Sequence, residues 1–394
     1  MKNIPEIRIK GFEGEWKESV LQENLADNLR TNTLARAFLS DNDGEVLNVH
    51  YGDVLIKYGS LLNAAKDDIP HIKGSKAKDY SDFIQDGDII FADTAEDETA
   101  GKCVEVINVG NNNIVSGLHT IACRPKHTFG KGFLGYYINS PKYHEQLYPL
   151  LQGIKVFSLN KSQLEQTEMR TPESLAEQQS LGSFFSSLDR LLSDHHRRLE
   201  NLRRVKKSML QKMFPQQGQT VPEIRFKGFS GEWKEKQLGE ALEIGNGTDY
   251  KHLGEGNIPV YGTGGIIKYV DDYLYDGETV CIGRKGTIDS PIYHVGKIWT
   301  VDTLFYTYDF KDCNVKFLYY LFCTINWKEH NEATGVPSLS KENIKRIVAR
   351  FPNLAEQHLI GSFFTSLDNL INDEVNYIDQ LTRVKSTLLQ KMFV

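Results

Sequence analysis

Two stretches of the chain place apolar residues at alternating steps of three and four, sustained for five turns or more. Within 174–214 the stripe runs Leu181, Phe184/Phe185, Leu188, Leu191/Leu192, Leu199, Leu202, Val205 and Met209. Within 353–393 it runs Ile360, Phe363/Phe364, Leu367, Leu370/Ile371, Ile378, Leu381, Val384 and Leu388. That spacing is the signature of an amphipathic helix, and its average lies near the coiled-coil period. Ser174 with Glu177, and Asn353 with Glu356, sit at capping spacing, so both starts are marked. Pro172 and Pro352 lie just before them, and Pro215 stops the first helix. At ~1.5 Å per residue each helix is roughly 55 Å long. One small domain cannot cover such a helix, so the two are expected to pack on each other. The expected interface is Leu181, Phe185, Leu188, Leu192, His195, Leu199, Leu202 and Val205 against Ile360, Phe364, Leu367, Ile371, Glu374, Ile378, Leu381 and Val384. His195 and Glu374 interrupt the stripes at equivalent turns, and an antiparallel pairing about the helix midpoints would set them close together.

The two helical stretches are copies, offset by 179 residues without a gap. Leu-Ala-Glu-Gln opens both at 175–178 and 354–357, and Leu-Gln-Lys-Met-Phe closes both at 210–214 and 389–393. A second repeat precedes them. PEIRIKGFEGEWKE at 5–18 returns as PEIRFKGFSGEWKE at 222–235, which predicts a turn-rich packed edge anchored by Trp16 and Trp233.

Between the repeats the pattern changes to short apolar runs bounded by glycine, the mark of strands. Asp53–Ile56, Asp88–Phe91 and Lys155–Leu159 are predicted strands in the first half, with a helix capped by Asn160 after the last of them. In the second half Gly277–Gly283 parallels Gly87–Phe91, Phe317–Tyr320 parallels the aromatic helix at Phe133–Tyr136, and Gly335–Lys341 parallels Gly153–Lys161. The chain therefore divides into a repeat segment (1–25), a first variable unit (26–172), a spacer helix (173–220), a second repeat segment (221–242), a second variable unit (243–350) and a final spacer helix (351–394). The fold class is mixed α/β, two unlike units in like frames.

Composition adds exclusions. Three hundred and ninety-four residues are ample for two cores. No apolar run reaches the ~18–20 residues of a membrane span, and the first residues lack a signal-peptide core, so the expectation is a cytoplasmic protein without membrane contact. Five scattered cysteines, never in CxxC, argue for a reducing compartment and against a zinc site. A net charge of −6 counts against a nonspecific nucleic-acid coat while leaving room for a basic cleft on an acidic body.

Enzyme signatures fail by absence. No Pro-Pro pair exists for an amino-methyltransferase motif, and no Gly-Lys is followed by Ser or Thr for a phosphate loop. His144-Glu145 lacks the second histidine of a zinc protease, and the acidic run 93–98 reads as a solvated loop. Gly262-Thr263-Gly264-Gly265 resembles a nucleotide loop without its strand–helix setting. No catalytic or metal-ligating set assembles.

The remaining chemistry is that of polar and aromatic loops. Arg284, Lys285 and Thr287 lie among glycines after a predicted strand, with Tyr250, Lys251 and Tyr261 nearby in sequence. Glycine lets backbone approach a ligand, Arg reads guanine O6/N7 bidentately and Lys meets phosphate. In the first unit Lys57-Tyr58 and Lys73, Lys76 and Lys78 carry similar combinations.

With unlike units alternating with repeated frames, the whole chain resembles the specificity (S) subunit of a type I restriction–modification system. The residues that carry the likeness are PEIRFKGFSGEW at 222–233, the stretches 258–288, 299–306 and 335–347, and LAEQ with its helix at 354–393. The first unit departs from the pattern, since Asp88–Thr94 has no Gly-Arg-Lys-Gly character. The resemblance implies two target-recognition domains, each reading half of a bipartite double-stranded DNA site, held apart by an antiparallel helix pair with a pseudo-twofold. It implies two methyltransferase (M) subunits and restriction (R) subunits as partners. S-adenosylmethionine, ATP and magnesium are then expected on those partners, with no cofactor on this chain. The competing readings are a coiled-coil adaptor that does not bind DNA, and a fused restriction–modification enzyme or nuclease.

Overall fold

A computed structural model describes residues 3–26 and 29–394. The chain forms two compact units, Met1–His195 with Tyr377–Val394, and His196–Asn376. The two long helices are Leu175–Lys212 and Leu354–Lys391, 38 residues each. Each contributes its N-terminal half to one unit and its C-terminal half to the other.

The frame of the first unit follows from the repeated sequences. Lys17–Val20 pairs antiparallel with Glu168–Thr171, joining the repeat segment to the strand before the first long helix. Trp16 is buried, and Glu177 of the helix takes Arg8 through both carboxylate oxygens at 2.7 and 2.8 Å. Arg8 also donates from Nη2 to Glu13 C=O and from Nη1 to Gly14 C=O, which fixes the Gly-Phe-Glu-Gly turn. Next along the helix, Gln178 accepts from Gly130 N–H and donates to Pro172 C=O. The end of the second long helix closes this core: Phe393 lies 5.5–6.3 Å, centroid to centroid, from Phe185, Tyr137, Phe133 and Trp16.

The second unit repeats the arrangement with its own residues. Lys234–Gln237 pairs with Val348–Phe351, and Arg225 meets both oxygens of the fully buried Glu356 at 2.7 Å. Gln357 accepts from Asn314 N–H and donates to Pro352 C=O. Here the plug is Phe214, the end of the first long helix, against Trp233, Phe317 and Phe364.

Within each unit the two helix segments run antiparallel. In the first, Lys385 of one helix meets Asp189 of the other, and the His195 ring lies 4.4 Å from that of Tyr377. In the second, Lys206 meets Asp368 at 2.5 Å, and Arg198 approaches Glu374 at 3.4 Å. Applying the 179-residue offset to either pair of contacts generates the other pair, so the two units use the same helix register.

The apolar stripe needs one correction. Val205 and Val384, equivalent positions expected at the interface, are exposed, as are Leu191 and Leu370. At the next position the lysines Lys206 and Lys385 turn inward instead. Each holds its ammonium over a tyrosine ring, Tyr320 or Tyr136, and pairs with an aspartate.

The sheets differ between units. The second holds one six-stranded sheet, in the order Glu243–Asn246, Leu304–Tyr308, Tyr275–Gly283, Ile292–Thr300, Glu255–Gly262, Gly265–Val270. All its pairs are antiparallel except that of Glu255–Gly262 with Ile292–Thr300. The first unit carries a five-stranded sheet, centred on Ile89–Ala92, and a separate four-stranded sheet from Leu39 to Ser116. Asp53–Ile56, a predicted strand, is instead the end of the helix Tyr51–Ile56. Four apolar-rich residues do not distinguish the two periods, and the buried Val54 and the Asp53–Arg36 ion pair are satisfied from a helix.

Candidate nucleic-acid interface

In the second unit the strand Tyr275–Gly283 ends in a loop that only glycine permits. A Cβ on Gly283 would sit 2.0 Å from the Thr287 carbonyl oxygen, and Gly286 has φ +91°. Backbone bonds then fix the loop. Arg284 N–H and Lys285 N–H both donate to Thr303 C=O, Gly286 N–H donates to Pro337 C=O, and Leu339 N–H donates to Arg284 C=O. Lys285 and Ser338 form an isolated antiparallel bridge. With the backbone satisfied, the side chains of Arg284, Lys285 and Thr287 stand exposed on a rigid support.

These two loops wall a cleft of about 860 Å³ lined by Asn246, Arg284, Lys285, Val336, Ser338, Ser340 and Lys341 and by two carboxylates, Glu332 and Glu342. Arg284 makes one weak contact, 3.3 Å to Asp302 C=O, so its guanidinium keeps its donors. Burial, then the neighbouring Lys345, holds the Lys341 ammonium below the ordinary lysine range. A broad polar cleft with three cations suits an extended polyanion, with arginine free to read a base edge.

The other sequence candidates in this unit divide. Lys251 is exposed on the turn after Tyr250, but the Tyr250 ring packs on the cluster of Ile258, Val260 and Trp299. Tyr261 is half-buried, its hydroxyl 3.4 Å from His294 Nδ1, and burial raises its phenol. Gly262–Gly265 is a hairpin turn, the strands Glu255–Gly262 and Gly265–Val270 pairing directly. A Cβ at Gly286 would lie 3.9 Å from Thr263 Oγ1, which sets that turn beside the arginine loop. Sequence reasoning missed Thr263, Asn246 and Lys341, though the glycines around Thr263 and the motif Gly335–Lys341 were the available signals.

In the first unit Lys73, Lys76 and Lys78 lie on the segment that follows the inner strand His71–Ile72 of the four-stranded sheet, and all three are exposed. Lys73 donates to Ala37 C=O at 2.7 Å and Lys76 pairs with Glu45 at 3.1 Å. Lys57, at the end of the helix Tyr51–Ile56, pairs with Asp68 at 3.0 Å. Tyr58 is a core residue, 5% exposed, with its hydroxyl on Asp68 C=O, and burial raises its phenol. That corrects its candidacy as a surface aromatic: the Lys-Tyr pair turns its ring inward to the cluster around Val54 and Leu62. Where the second unit has its arginine loop, the first has Asp93 and Thr94, bonded to each other and to His119. It opens elsewhere a cleft of about 470 Å³ lined by Arg124, Lys126, His127, Lys131, Asp88 and Glu105. Arg124 is held there by a bidentate bond to Asp88, which raises its pKa.

Catalytic chemistry finds little support in the titratable groups. Burial pushes Cys281 and Cys313 up to about 12, and Cys103 is raised too, so these thiols stay protonated. Among the described residues no cluster of three or more His, Cys, Asp or Glu is placed to hold a metal ion.

Residues 230–383 match the model of the type I restriction modification DNA specificity domain. The chain is 23% identical over 175 residues to the EcoprrI type I restriction enzyme specificity subunit of Escherichia coli, covering 42% of each. It is 28% identical over 126 residues to the MjaVIII specificity subunit of Methanocaldococcus jannaschii, covering 30% of this chain and 27% of that one. The matches thus span well under two thirds of these relatives' length. In fold, 99% of the chain superposes on 99% of the S subunit of a type I restriction–modification system from M. genitalium, with TM-score 0.64 and 16% identity.

Proposed function

We propose that this chain, a member of the type I restriction–modification specificity-subunit family, reads double-stranded DNA as two half-sites, one in each unit. The observation that carries this reading is the pairing of repeated frames with unrepeated sheets. The same anchor, plug and helix register recur, the helices at an offset of 179 residues and the repeat segments at 217, while the surfaces they hold up differ. A device that must read two different sequences at one separation needs that division.

In the second unit Arg284 is the base reader, Lys285 and Lys341 meet phosphates, and Thr287 and Thr263 complete the polar edge. In the first, the loop of Lys73, Lys76 and Lys78 and the cleft of Arg124 and Lys131 take the corresponding part. The long helices set the unread spacer and dock two methyltransferase subunits, with restriction subunits joining the larger complex. Adenine methylation and cleavage, with their S-adenosylmethionine, ATP and magnesium, belong to those partners. A reader of chromosomal DNA works in the cytoplasm under this proposal; no described helix is long and apolar enough to cross a membrane.

The test is to co-express the chain with its methyltransferase subunit and map methylated adenines across a genome. The expected result is a split motif, two defined halves around an undefined spacer. Replacing 243–350 by the corresponding stretch of a relative should change one half alone. Arg284→Ala should relax one position of that half, at a cost of about 1–3 kcal/mol in discrimination. A complex that forms but leaves no methylation and prefers no sequence would return the chain to the adaptor reading.

A further inference from the structure

The repeat also isolates a feature that it does not share. In the C-terminal half of the first long helix, Leu199 and Met213 are buried, with Leu202, Lys206 and Met209 partly so, and they define the inward face. The opposite face carries Arg203, Arg204 and Lys207, all exposed, beside Arg197. The equivalent face of the second helix carries Thr382, Arg383 and Ser386, and its one cation is paired with Asp379 at 2.8 Å.

Folding does not explain the three cations. The inward contacts of this segment belong to Arg198, on Glu374, and to Lys206, on Asp368. Arg203 and Lys207 stand at i, i+4, where like charges repel, and Glu200, three and four residues before Arg203 and Arg204, can offset only one of the three charges. Interaction with the helix dipole fades beyond the last turn, and Arg203 lies nine residues before the helix end at Lys212. An exposed face of three cations on a chain of net charge −6 therefore has an external use.

We infer that Arg203, Arg204 and Lys207 bind the phosphate backbone of duplex DNA at bases that neither unit reads. The chemistry favours DNA over an acidic protein surface. The face around the three cations is Glu200, Asn201, Ser208 and Gln211, with a single exposed apolar side chain, Val205, at its edge, whereas protein interfaces centre on an apolar core depleted in charge. Arg203 to Lys207 spans about 6 Å of helix axis, close to the rise of two nucleotides along one strand at roughly 3.4 Å each. Contact without base readout is what an unread spacer requires, and three cations on one helix copy make it one-sided. The inference rests on the two-half-site reading.

The experiment uses the full chain in complex with its methyltransferase subunit. Arg203→Gln, Arg204→Gln and Lys207→Gln are combined, glutamine keeping helix propensity. Affinity for a duplex carrying the mapped site is measured across salt concentrations, with circular dichroism and thermal midpoint as fold controls. The expected result is an unchanged methylation motif with a salt slope shallower by about 2.7, ~0.9 for each phosphate no longer neutralised. Arg383→Gln, at the equivalent place on the other helix, is expected to leave the slope unchanged. The same motif with the same slope in the triple variant would overturn the inference while leaving the two-half-site reading standing. Loss of methyltransferase binding by a folded triple variant would overturn it in favour of an acidic protein partner. A wild-type complex without a split motif would instead remove the reading beneath it.

Discussion

Glu177 takes Arg8 in one unit and Glu356 takes Arg225 in the other. Tyr136, Asp189 and Lys385 meet in the first as Tyr320, Asp368 and Lys206 meet in the second. The frames are the same object built twice. The sheets are not: one unit runs a single six-stranded sheet to a glycine-bounded arginine loop, and the other splits its strands among sheets of five, four and three strands and ends the corresponding strand on Asp93. Invariance lies where geometry must be kept and variation where a surface meets something outside. This follows from where the buried polar groups lie. A buried carboxylate with a bidentate arginine tolerates no change at either end, whereas an exposed loop with its backbone satisfied tolerates many side chains.

The strongest way to test the equivalence is to remove the plugs. Phe393→Ala and Phe214→Ala each open a cavity among three or four aromatic rings, at about 3–5 kcal/mol. Each should lower the stability of its own unit, and chemical denaturation followed by tryptophan fluorescence should register it, since Trp16 and Trp233 each lie beside one plug. Equal losses from both variants support equivalent frames. A loss from one alone shows that the repeat in sequence is not a repeat in energetics. Next in size, Glu356→Gln leaves Arg225, mostly buried, without its counter-charge, at about 3 kcal/mol. Glu177→Gln should cost about the same through Arg8.

The frame was legible in the sequence because it is periodic and repeated. Stripe spacing, capping residues and Trp16/Trp233 led to elements that the structure contains, including the aromatic helices Phe133–Ile138 and Val315–Phe322. Two parts of it were not legible. Val205 and Val384 fit the stripe by type, but the inward positions belong to Lys206 and Lys385, whose partners Asp368 and Asp189 are remote in sequence. The Met-Phe ends were visible as a repeat and silent about their use, because each plugs the unit built mainly from the other half of the chain. Of the interface, the Gly283–Thr287 loop announced itself by its glycines. The cleft did not, since it exists only once Lys285 pairs with Ser338, 53 residues on.

The tyrosine–aspartate–lysine clusters sharpen the comparison at smaller scale. Asp189→Asn keeps size and removes charge, so the Tyr136 hydroxyl retains an acceptor while Lys385 loses its counter-ion. The expected cost is about 1–2 kcal/mol, that of a part-buried charged hydrogen bond, and Asp368→Asn should match it. A double-mutant cycle of Asp189→Asn with Lys385→Met isolates the pair. A coupling near zero would make the cluster mere packing of lysine stems over rings.

The smallest effect separates the units instead of equating them. The aromatic helix of the second unit is capped locally, Asn314 Oδ1 accepting from Phe317 N–H at 2.9 Å. In the first unit the same place is held by a carboxylate from a neighbouring strand, Glu105, which accepts from Gly132 and Gly135 N–H at 2.6 and 2.9 Å. Burial pushes its pKa from 4.5 up to about 7, against the pull of those donors. A folded pKa above the unfolded one contributes stability that is complete below about 4.5 and is lost as pH rises through about 7. The first unit should therefore be less stable at pH 8 than at pH 6 by about 1 kcal/mol from this group, while Asn314 contributes no such slope to the second. Thermal melts of the wild type and of Glu105→Gln across that range measure it. The variant should be less stable at pH 6, because its amide nitrogen faces a backbone N–H that the second oxygen accepted. Its pH slope should be flatter by the amount Glu105 supplied. If the wild type and the variant share one slope, the carboxylate stays ionised throughout, and the glycine N–H groups outweigh its burial.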